Sequence, residues 1–441
     1  MIKPNEKTKK GMVQMKFTVE PKRAMSDCPL HICASGLTPG EKVTLIAREK
    51  DMFGNLWESS TRFAAQADGT VDVSRDLPLS GNYDWVDAMG PAVSMKAVSP
   101  GPGVPGRTMH KTESFSTEYT LIREDGSKET LSAERLMMAD GMRREVIEKD
   151  GIFGTLFMPV SEKKLPVIIQ LNGSDGGIEE GMAAVLASHG FAVITLAYFN
   201  YAALPKIMEN IPLEYFGKAI RYLQSRPEID GGKIGIFGGS FGGLLSLLVP
   251  SFYPEITACA ANVPSGILFG GSGVDYNKPV SPFSWQGKSL PIVPRPSDTN
   301  EWMKAQMAEN GAIDLTQNHW NALKAASKEQ IEAATIKVEN IKGPVMLISG
   351  GDDRQWPCTE LSDMVVQRLK DKGFAHKVIH LAYENAGHSL IHPYYTFTQS
   401  RFTHPVDGNT YLLGGTHKAN ICAIEDYWPK MIAFFHEAFN R

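Results

Sequence analysis

The stretch Asp230-Gly231-Gly232-Lys233-Ile234-Gly235-Ile236-Phe237-Gly238-Gly239-Ser240-Phe241-Gly242-Gly243-Leu244-Leu245-Ser246-Leu247-Leu248 decides the fold. Asp230-Gly231-Gly232 spells a turn, Ile234–Phe237 a short buried strand, and Leu244–Leu248 the apolar start of a helix. Within it, Gly238, Ser240 and Gly242 make a G-x-S-x-G pattern. That pattern alone is weak, since average residue frequencies give about 0.15 chance matches in a chain of this length. Its setting is stronger: strand, sharp turn and helix are what a nucleophilic serine on a strained elbow requires. Glycines flank the serine because the tight turn and the close helix–strand approach leave no room for a Cβ. The bland alternative is a glycine-rich turn that only packs strand on helix.

A serine hydroxyl is a poor nucleophile until a base takes its proton, and in this chain order the acid and the histidine follow the serine. Downstream, the apolar strand Val345–Ser349 runs into Gly350-Gly351-Asp352-Asp353-Arg354-Gln355-Trp356-Pro357. A carboxylate just past the carboxyl end of a strand sits at the catalytic rim of an open α/β sheet. Asp353 is the expected acid, because Gly350, Asp353 and Pro357 satisfy a G-x-x-D pattern with proline four residues on; Asp352 is then expected to cap the turn or the following helix. The strand Lys377–Leu381 leads to Glu384-Asn385-Ala386-Gly387-His388, which places His388 as the base, with His392 as the fallback and His380 facing a helix. The oxyanion hole is expected from the backbone N–H of Phe241 and that of Ser174, in the loop Asn172-Gly173-Ser174-Asp175-Gly176-Gly177 after the strand Val167–Leu171. A flexible βα turn explains the same glycines.

Around this centre the chain divides by periodicity. From about Met15 to Ile122 short alternating stretches are broken by turns: Val43, Leu45 and Ala47 share one face, Trp57, Ser59, Thr61 and Phe63 another, and Pro39-Gly40 and Asp68-Gly69 turn the chain. An immunoglobulin-like β-sandwich over residues 1–130 is expected, with the breaker-rich stretch from Ser99 to Gly106 as a surface loop. After about Arg135 apolar runs alternate with helical periodicity, so residues 131–441 are expected as an α/β domain, a mostly parallel sheet covered by helices. Further strands are read at Phe191–Leu196 and Ile256–Ala261. One helix carries Leu213, Phe216, Ile220 and Leu223 on a face, and the last carries Trp428, Met431, Ile432, Phe435 and Phe439 as a core stripe. The proline-rich insertion Gly266–Gln330 is expected to form a lid or pocket wall.

Composition excludes several classes. At 441 residues, 42% hydrophobic and 21% charged, the chain has enough apolar matter for two cores without a metal or disulfides. A net charge of −4 gives no general attraction to nucleic acid or anionic lipid, and Lys7, Lys9 and Lys10 read as a solvated tail. Five scattered cysteines suit neither a disulfide framework nor a zinc site. Met1 to Lys16 lacks the apolar run of a signal peptide, no 18-residue apolar run predicts a membrane span, and Phe439-Asn440-Arg441 is no peroxisomal address. A cytoplasmic protein needing no cofactor and no metal is expected.

Over nearly its full length the chain resembles the family of type I acyl-CoA thioesterases and bile acid-CoA:amino acid N-acyltransferases. Lys42-Val43-Thr44-Leu45, Gly81-Asn82-Tyr83 and Ala88-Met89-Gly90 look like its β-sandwich; Met142-Arg143-Arg144-Glu145 and Gly154-Thr155-Leu156-Phe157-Met158-Pro159 resemble its inter-domain join. Leu196-Ala197-Tyr198-Phe199-Asn200-Tyr201, Ile336-Lys337-Val338-Glu339, Asp352-Asp353-Arg354-Gln355-Trp356 and Gly387-His388 look like landmarks of its α/β-hydrolase catalytic domain. The resemblance implies a triad of Ser240, Asp353 and His388 and an acyl-CoA substrate. It also implies a division by nucleophile: cysteine in members that pass acyl groups to glycine or taurine, serine in those that use water. Ser240 therefore points to hydrolysis. The insertion Gly266–Gln330 is longer than the family leads one to expect and is placed beside the acyl pocket. The competing readings are a carboxylesterase or dienelactone-hydrolase-like esterase, an acyl-CoA:amino acid N-acyltransferase, and a non-catalytic binding protein.

Overall fold

The computed structural model describes residues 15–98, 111–270, 275–394 and 400–440. The breaker-rich stretch 99–106 and the basic residues Lys7, Lys9 and Lys10 lie outside them. The chain forms two compact units, Met1–His110 with Ser114–Leu136 and Tyr394–Thr398, and Lys111–Glu113 with Met137–Pro393 and Gln399–Arg441.

The first unit is built of two sheets. One has three strands, Lys16–Glu20, His31–Ser35 and Val71–Asp72. The other runs Arg23–Met25, Lys128–Leu136, Phe115–Ile122, Lys42–Lys50, Leu56–Ala64 and Ser80–Gly81, with Lys96–Ala97 also paired to Leu56–Ala64. Alternation decides what is inside: Val43, Leu45 and Ala47 are buried on one strand, Trp57, Ser59, Thr61 and Phe63 on the next, and their neighbours face outward. Gly40 and Gly69 hold positive φ at the two expected turns.

The second unit carries an eight-stranded sheet. Its strands in chain order are β1 (Arg143–Lys149), β2 (Ile152–Met158), β3 (Leu165–Leu171), β4 (Ala192–Ala197), β5 (Ile229–Gly239), β6 (Ile256–Asn262), β7 (Val345–Gly350) and β8 (Val378–Tyr383). They lie in the order β1-β2-β4-β3-β5-β6-β7-β8, with β2 alone running against the rest. Every residue of β3, β4 and β7 is buried, as expected of parallel strands covered on both faces. The helices are α1 (Glu180–Ala187), α2 (Glu214–Gln224), α3 (Phe241–Phe252), α4 (Thr299–Asn310), α5 (Thr316–Ala325), α6 (Lys328–Ala334), α7 (Cys358–Asp371) and α8 (His417–Ala438). This is an α/β-hydrolase.

Two details position the site. From β3 the chain crosses to β4 on one side, and from β5 to β6 on the other. The crevice at the carboxyl ends of β3 and β5 is thus the switch point where open α/β sheets bind ligands. And α4, α5 and α6 all fall between β6 and β7, so the later part of the expected insertion Gly266–Gln330, from Thr299 onward, is largely helical.

The structure adds detail to two expectations from the sequence. The stretches resembling an inter-domain join follow the start of the second unit at Met137 and fall on β1 and β2, the antiparallel start of its sheet. Only Ile147 of β1 is buried, so this edge strand lacks the apolar run that marks its neighbours. On α8 the core stripe is Trp428, Met431, Phe434 and Phe435, continued by Phe439, while Ile432 is half-buried. Phe435 and Phe439 lie directly over Gly235 of β5, where a Cβ would come within 2.8 Å of one ring and 3.0 Å of the other.

With little apolar surface, β1 is held in part by charge. Arg226, just past α2, donates to both Glu145 oxygens at 2.6 and 2.8 Å and to Glu228 at 3.2 Å. Hydrogen bonds from Arg226 hold the Glu228 carboxyl down at about 2 and lower that of Glu145. Folded values below the unfolded 4.5 mean that this contribution is complete above that pH and fades as the pH falls toward 2. The pairs are partly exposed, so the expected loss in Arg226→Met is modest, about 1 kcal/mol at pH 7 by urea denaturation, and smaller at pH 3. An undiminished difference at pH 3 would contradict it.

Candidate active site

Ser240 stands between the end of β5 and the first residue of α3, with φ 58° and ψ −121°. Such a backbone is costly for a residue with a Cβ and persists only where its surroundings enforce it. Those surroundings are backbone. A Cβ on Gly238 would lie 2.6 Å from Gly242 and 2.7 Å from the Leu171 carbonyl. One on Gly242 would strike the Leu171 and Asn172 carbonyls, and one on Gly243 the carbonyl of Asn262. Gly239 is different, with its nearest neighbour 3.8 Å away. The Ser240 amide donates to the Asn262 carbonyl of β6 at 3.0 Å, which fixes the turn to the sheet.

The structure brings Ser240, His388 and Asp353 together. His388 Nε2 lies 2.9 Å from Ser240 Oγ, and Nδ1 lies 2.7 Å from Asp353 Oδ2. Asp353 is 4% exposed, and its other oxygen accepts the amides of Gln355 at 2.7 Å and Trp356 at 3.3 Å. With Nδ1–H given to the carboxylate, Nε2 is left to accept the serine proton. The loop bearing His388 is tied on both sides: its amide donates to Leu413 at 2.7 Å, and the Gly387 amide to Asn420 Oδ1 of α8 at 2.7 Å. The Trp356 ring stands 5.9 Å from the imidazole and 5.3 Å from the Phe241 ring.

The neighbouring candidates are accounted for. Asp352 caps neither turn nor helix: it accepts the Gly415 amide at 2.9 Å and pairs with Arg354 at 2.5 Å, while α7 starts after Pro357 without a side-chain cap. The turn is held by Asp353 itself, so one carboxylate serves turn and imidazole together. His380 faces α7, with Asp363 at 3.1 Å and Ser349 Oγ at 2.8 Å. His392 is buried against Trp428, with Nδ1 3.2 Å from the Pro393 carbonyl, and the hydrogen bond to Ser240 Oγ comes from His388. Cys358 lies behind Asp353, where burial, and then the carboxylate, push its thiol well above the usual range.

Phe241 opens α3, so its N–H has no carbonyl one turn back to bond and points out of the helix start. Across the crevice, the loop after β3 is pinned rather than loose. Asn172 donates to the Gly176 carbonyl at 2.7 Å, the Tyr198 hydroxyl to the carbonyls of Asn172 and Gly173 at 3.0 and 3.1 Å, and Asn200 to Asp175 at 2.9 Å. Ser174 Oγ accepts from His404 Nε2 at 3.0 Å; that tautomer follows because Nδ1 accepts the Val406 amide at 3.3 Å. Nothing local in the sequence announces His404, which acts on a serine 230 positions away.

Ser240, Phe241 and Ser174 line one cavity. Its far wall comes from the segment between β6 and β7 (Tyr276, Arg295, Leu315 and His319) and from Tyr411. Tyr276 and Tyr411 both donate to Asp407, at 2.8 and 2.6 Å, and pack with Met303, Ile313 and Leu315 in a small core of their own. Sequence reading placed this segment beside the pocket without naming these side chains. Arginine, histidine and tyrosine there carry no spacing signal.

Residues 211–441 match the family described as BAAT / Acyl-CoA thioester hydrolase C terminal, and residues 27–149 match the Acyl-CoA thioester hydrolase/BAAT N-terminal region. The chain belongs to the acyl-CoA thioester hydrolase/BAAT family. Among relatives, the rat protein named acyl-coenzyme A thioesterase 2, mitochondrial, is 32% identical over 96% of this chain and 89% of its own length. Human acyl-coenzyme A thioesterase 1 is 29% identical over 94% of each. Among solved structures, acetyl xylan esterase 1 from Thermoanaerobacterium sp. overlaps 63% of this chain and 78% of its own, with a TM-score of 0.34 at 16% identity. In this family member Ser240, Asp353, His388 and the far wall all fall in the C-terminal match, whereas Ser174 lies between the two matched stretches.

The glycine geometry separates neighbours in the elbow. Gly242→Ala is expected to destabilise the fold by about 3 kcal/mol, since backbone cannot make way, and Gly239→Ala by less than about 1 kcal/mol. Chemical denaturation of the two variants side by side checks this, and equal losses would contradict it.

Proposed function

We propose that this protein hydrolyses acyl-CoA thioesters to a free acid and CoA, with Ser240 as nucleophile, His388 as base and Asp353 as its orienting acid. The observation that carries the reading is the unbroken relay Asp353–His388–Ser240, both contacts within hydrogen-bond reach on a backbone held at each station. Family membership supplies the substrate class, and the relatives' names supply thioester cleavage.

His388 Nε2 removes the hydroxyl proton as Ser240 Oγ attacks the thioester carbonyl. The amides of Phe241 and Ser174 receive the oxyanion, each worth a few kcal/mol in a dry site. The intermediate expels the CoA sulfur, which takes the proton from His388. His388 then activates a water that cleaves the acyl-serine, returning the enzyme. His404 positions Ser174, and Trp356 packs the imidazole between itself and the elbow. Nothing in this cycle calls on a redox group or metal. No disulfide joins the described cysteines, which suits a reducing compartment, and we place the protein in the cytoplasm, although the names of several relatives carry mitochondrial or peroxisomal addresses. Among the described residues no helix is long and apolar enough to cross a membrane.

Free-thiol release from a panel of acyl-CoAs tests the activity. Ser240→Ala is expected to lower turnover by about 10³-fold or more and to abolish fluorophosphonate labelling. Faster turnover of a nitrophenyl ester than of every acyl-CoA would favour a carboxylesterase, and amide product on adding glycine or taurine an acyltransferase. Asp353→Asn is expected to cost far more activity than Asp352→Asn, because only the former faces the imidazole. The reverse ranking would overturn the assignment of the acid.

A further inference from the structure

Ser174, His404 and Asp407 have the composition of a second triad. Ser174 Oγ lies 3.0 Å from His404 Nε2, and Asp407 Oδ1 lies 3.7 Å from His404 Nδ1. The hydrogen bonds run the other way, however. Nδ1 accepts the Val406 amide at 3.3 Å, so the imidazole proton sits on Nε2 and is donated to Ser174. Asp407 is committed elsewhere. One oxygen accepts the Asn409 amide at 2.8 Å, and the other accepts the hydroxyls of Tyr276 and Tyr411. Ser174 therefore has no base and is not a nucleophile. Its oxygen accepts from His404, and among the described residues nothing accepts its own O–H.

That O–H stands where negative charge would form. Ser174 lines the same cavity as Ser240 and Phe241. Its neighbour Gly173 packs against the nucleophile, since a Cβ there would lie 3.4 Å from the Ser240 Cβ. His404 is 5% exposed, and the rings of Phe402 and Tyr411 meet its imidazole edge-on, so the group behind the hydroxyl is held still. A hydroxyl that already accepts a hydrogen bond is polarised and donates more strongly. Donors fixed in advance need no rearrangement when charge develops.

We propose that the Ser174 hydroxyl is a third donor to the oxyanion, beside the amides of Phe241 and Ser174, and that His404 is the positioning residue that aims it. This rests on Ser240 being the nucleophile. As the bond from Ser240 Oγ to the carbonyl carbon forms, the carbonyl π pair moves onto oxygen and the Ser240 proton onto His388. The pair returns as the C–S bond breaks. Ser174 keeps its own proton throughout, so it stabilises charge without adding a proton transfer.

Ser174→Ala keeps the amide and removes the hydroxyl. Its kcat and kcat/KM for acyl-CoA thioesters are expected to fall together by about 10- to 100-fold, as for a contact made only in the transition state. Ser174→Thr restores the O–H and is expected to recover most of that loss. His404→Gln, which can offer an N–H in place of Nε2–H, is expected to stay more active than His404→Leu. Labelling of Ser240 by a fluorophosphonate reads the same donors without a thioester, because the phosphonyl oxygen occupies the oxyanion position. Its rate is expected to drop about tenfold or more in Ser174→Ala. Undiminished labelling of folded Ser174→Ala overturns the proposal. Absence of labelling in the wild-type protein removes the nucleophile and the proposal with it. If the wild-type protein is labelled but cleaves no acyl-CoA, the substrate reading fails, and the labelling rates still decide the role of the hydroxyl. The structure of the phosphonylated wild-type protein separates a donor from a tether and needs no variant to fold. Ser174 Oγ is expected within about 3.0 Å of the phosphonyl oxygen. A hydroxyl that stays beyond about 3.5 Å only ties its loop to His404, and that result overturns the proposal.

Discussion

The structure turns on how closely the first turn of α3 approaches the carboxyl ends of β3 and β6. Carbonyls of Leu171, Asn172 and Asn262 lie where side chains at 238, 242 and 243 would otherwise stand. The chain can make this approach only with glycine at those places. Having made it, the chain leaves Ser240 no ordinary backbone conformation. The strain is local and its support is global, since the contacts that enforce it come from two other strands of the sheet. Because β3 and β5 flank the point where the winding reverses, the forced serine stands in the crevice that the topology opens.

The relay to His388 and Asp353 is economical in a similar sense. Asp353 holds its own turn with one oxygen and the imidazole with the other, so the group that orients the base is itself immobilised by the backbone it organises. Cys358 shows the electrostatic cost of keeping that carboxylate buried: the adjacent thiol stays neutral because a second negative charge there would have neither water nor partner.

How much of the fold and the site was legible in the sequence depends on how local each cause is. Strand, turn and helix around Ser240 were readable because the glycines answer to neighbours within a few residues. Asp353 and His388 were readable by order, since each follows an apolar strand whose end defines the rim. The rest was decided at a distance. Two adjacent aspartates look alike until the turn geometry assigns Asp353 to the imidazole and Asp352 to the Gly415 amide. The strand Arg143–Lys149 carries a single buried residue and so has no apolar periodicity to read. Arg295, His319 and Tyr411 come from segments with no regular spacing, and His404 meets Ser174 across 230 residues. Chemistry that depends on such meetings is invisible until the chain is folded.

The tie between His404 and Ser174 makes a peripheral element part of the site. His404 belongs to the hairpin of strands Arg401–Thr403 and Thr410–Leu412, which is attached outside the main sheet through Ile313, whose amide donates to Thr410 and whose carbonyl accepts from Leu412. Leu413, the residue that follows the hairpin, accepts the His388 amide, so the base loop and the loop opposite the serine share this one support. On the proposed mechanism, a change that loosened the hairpin would reach the base and the oxyanion receptor together while leaving the elbow, held by β3 and β6, in place.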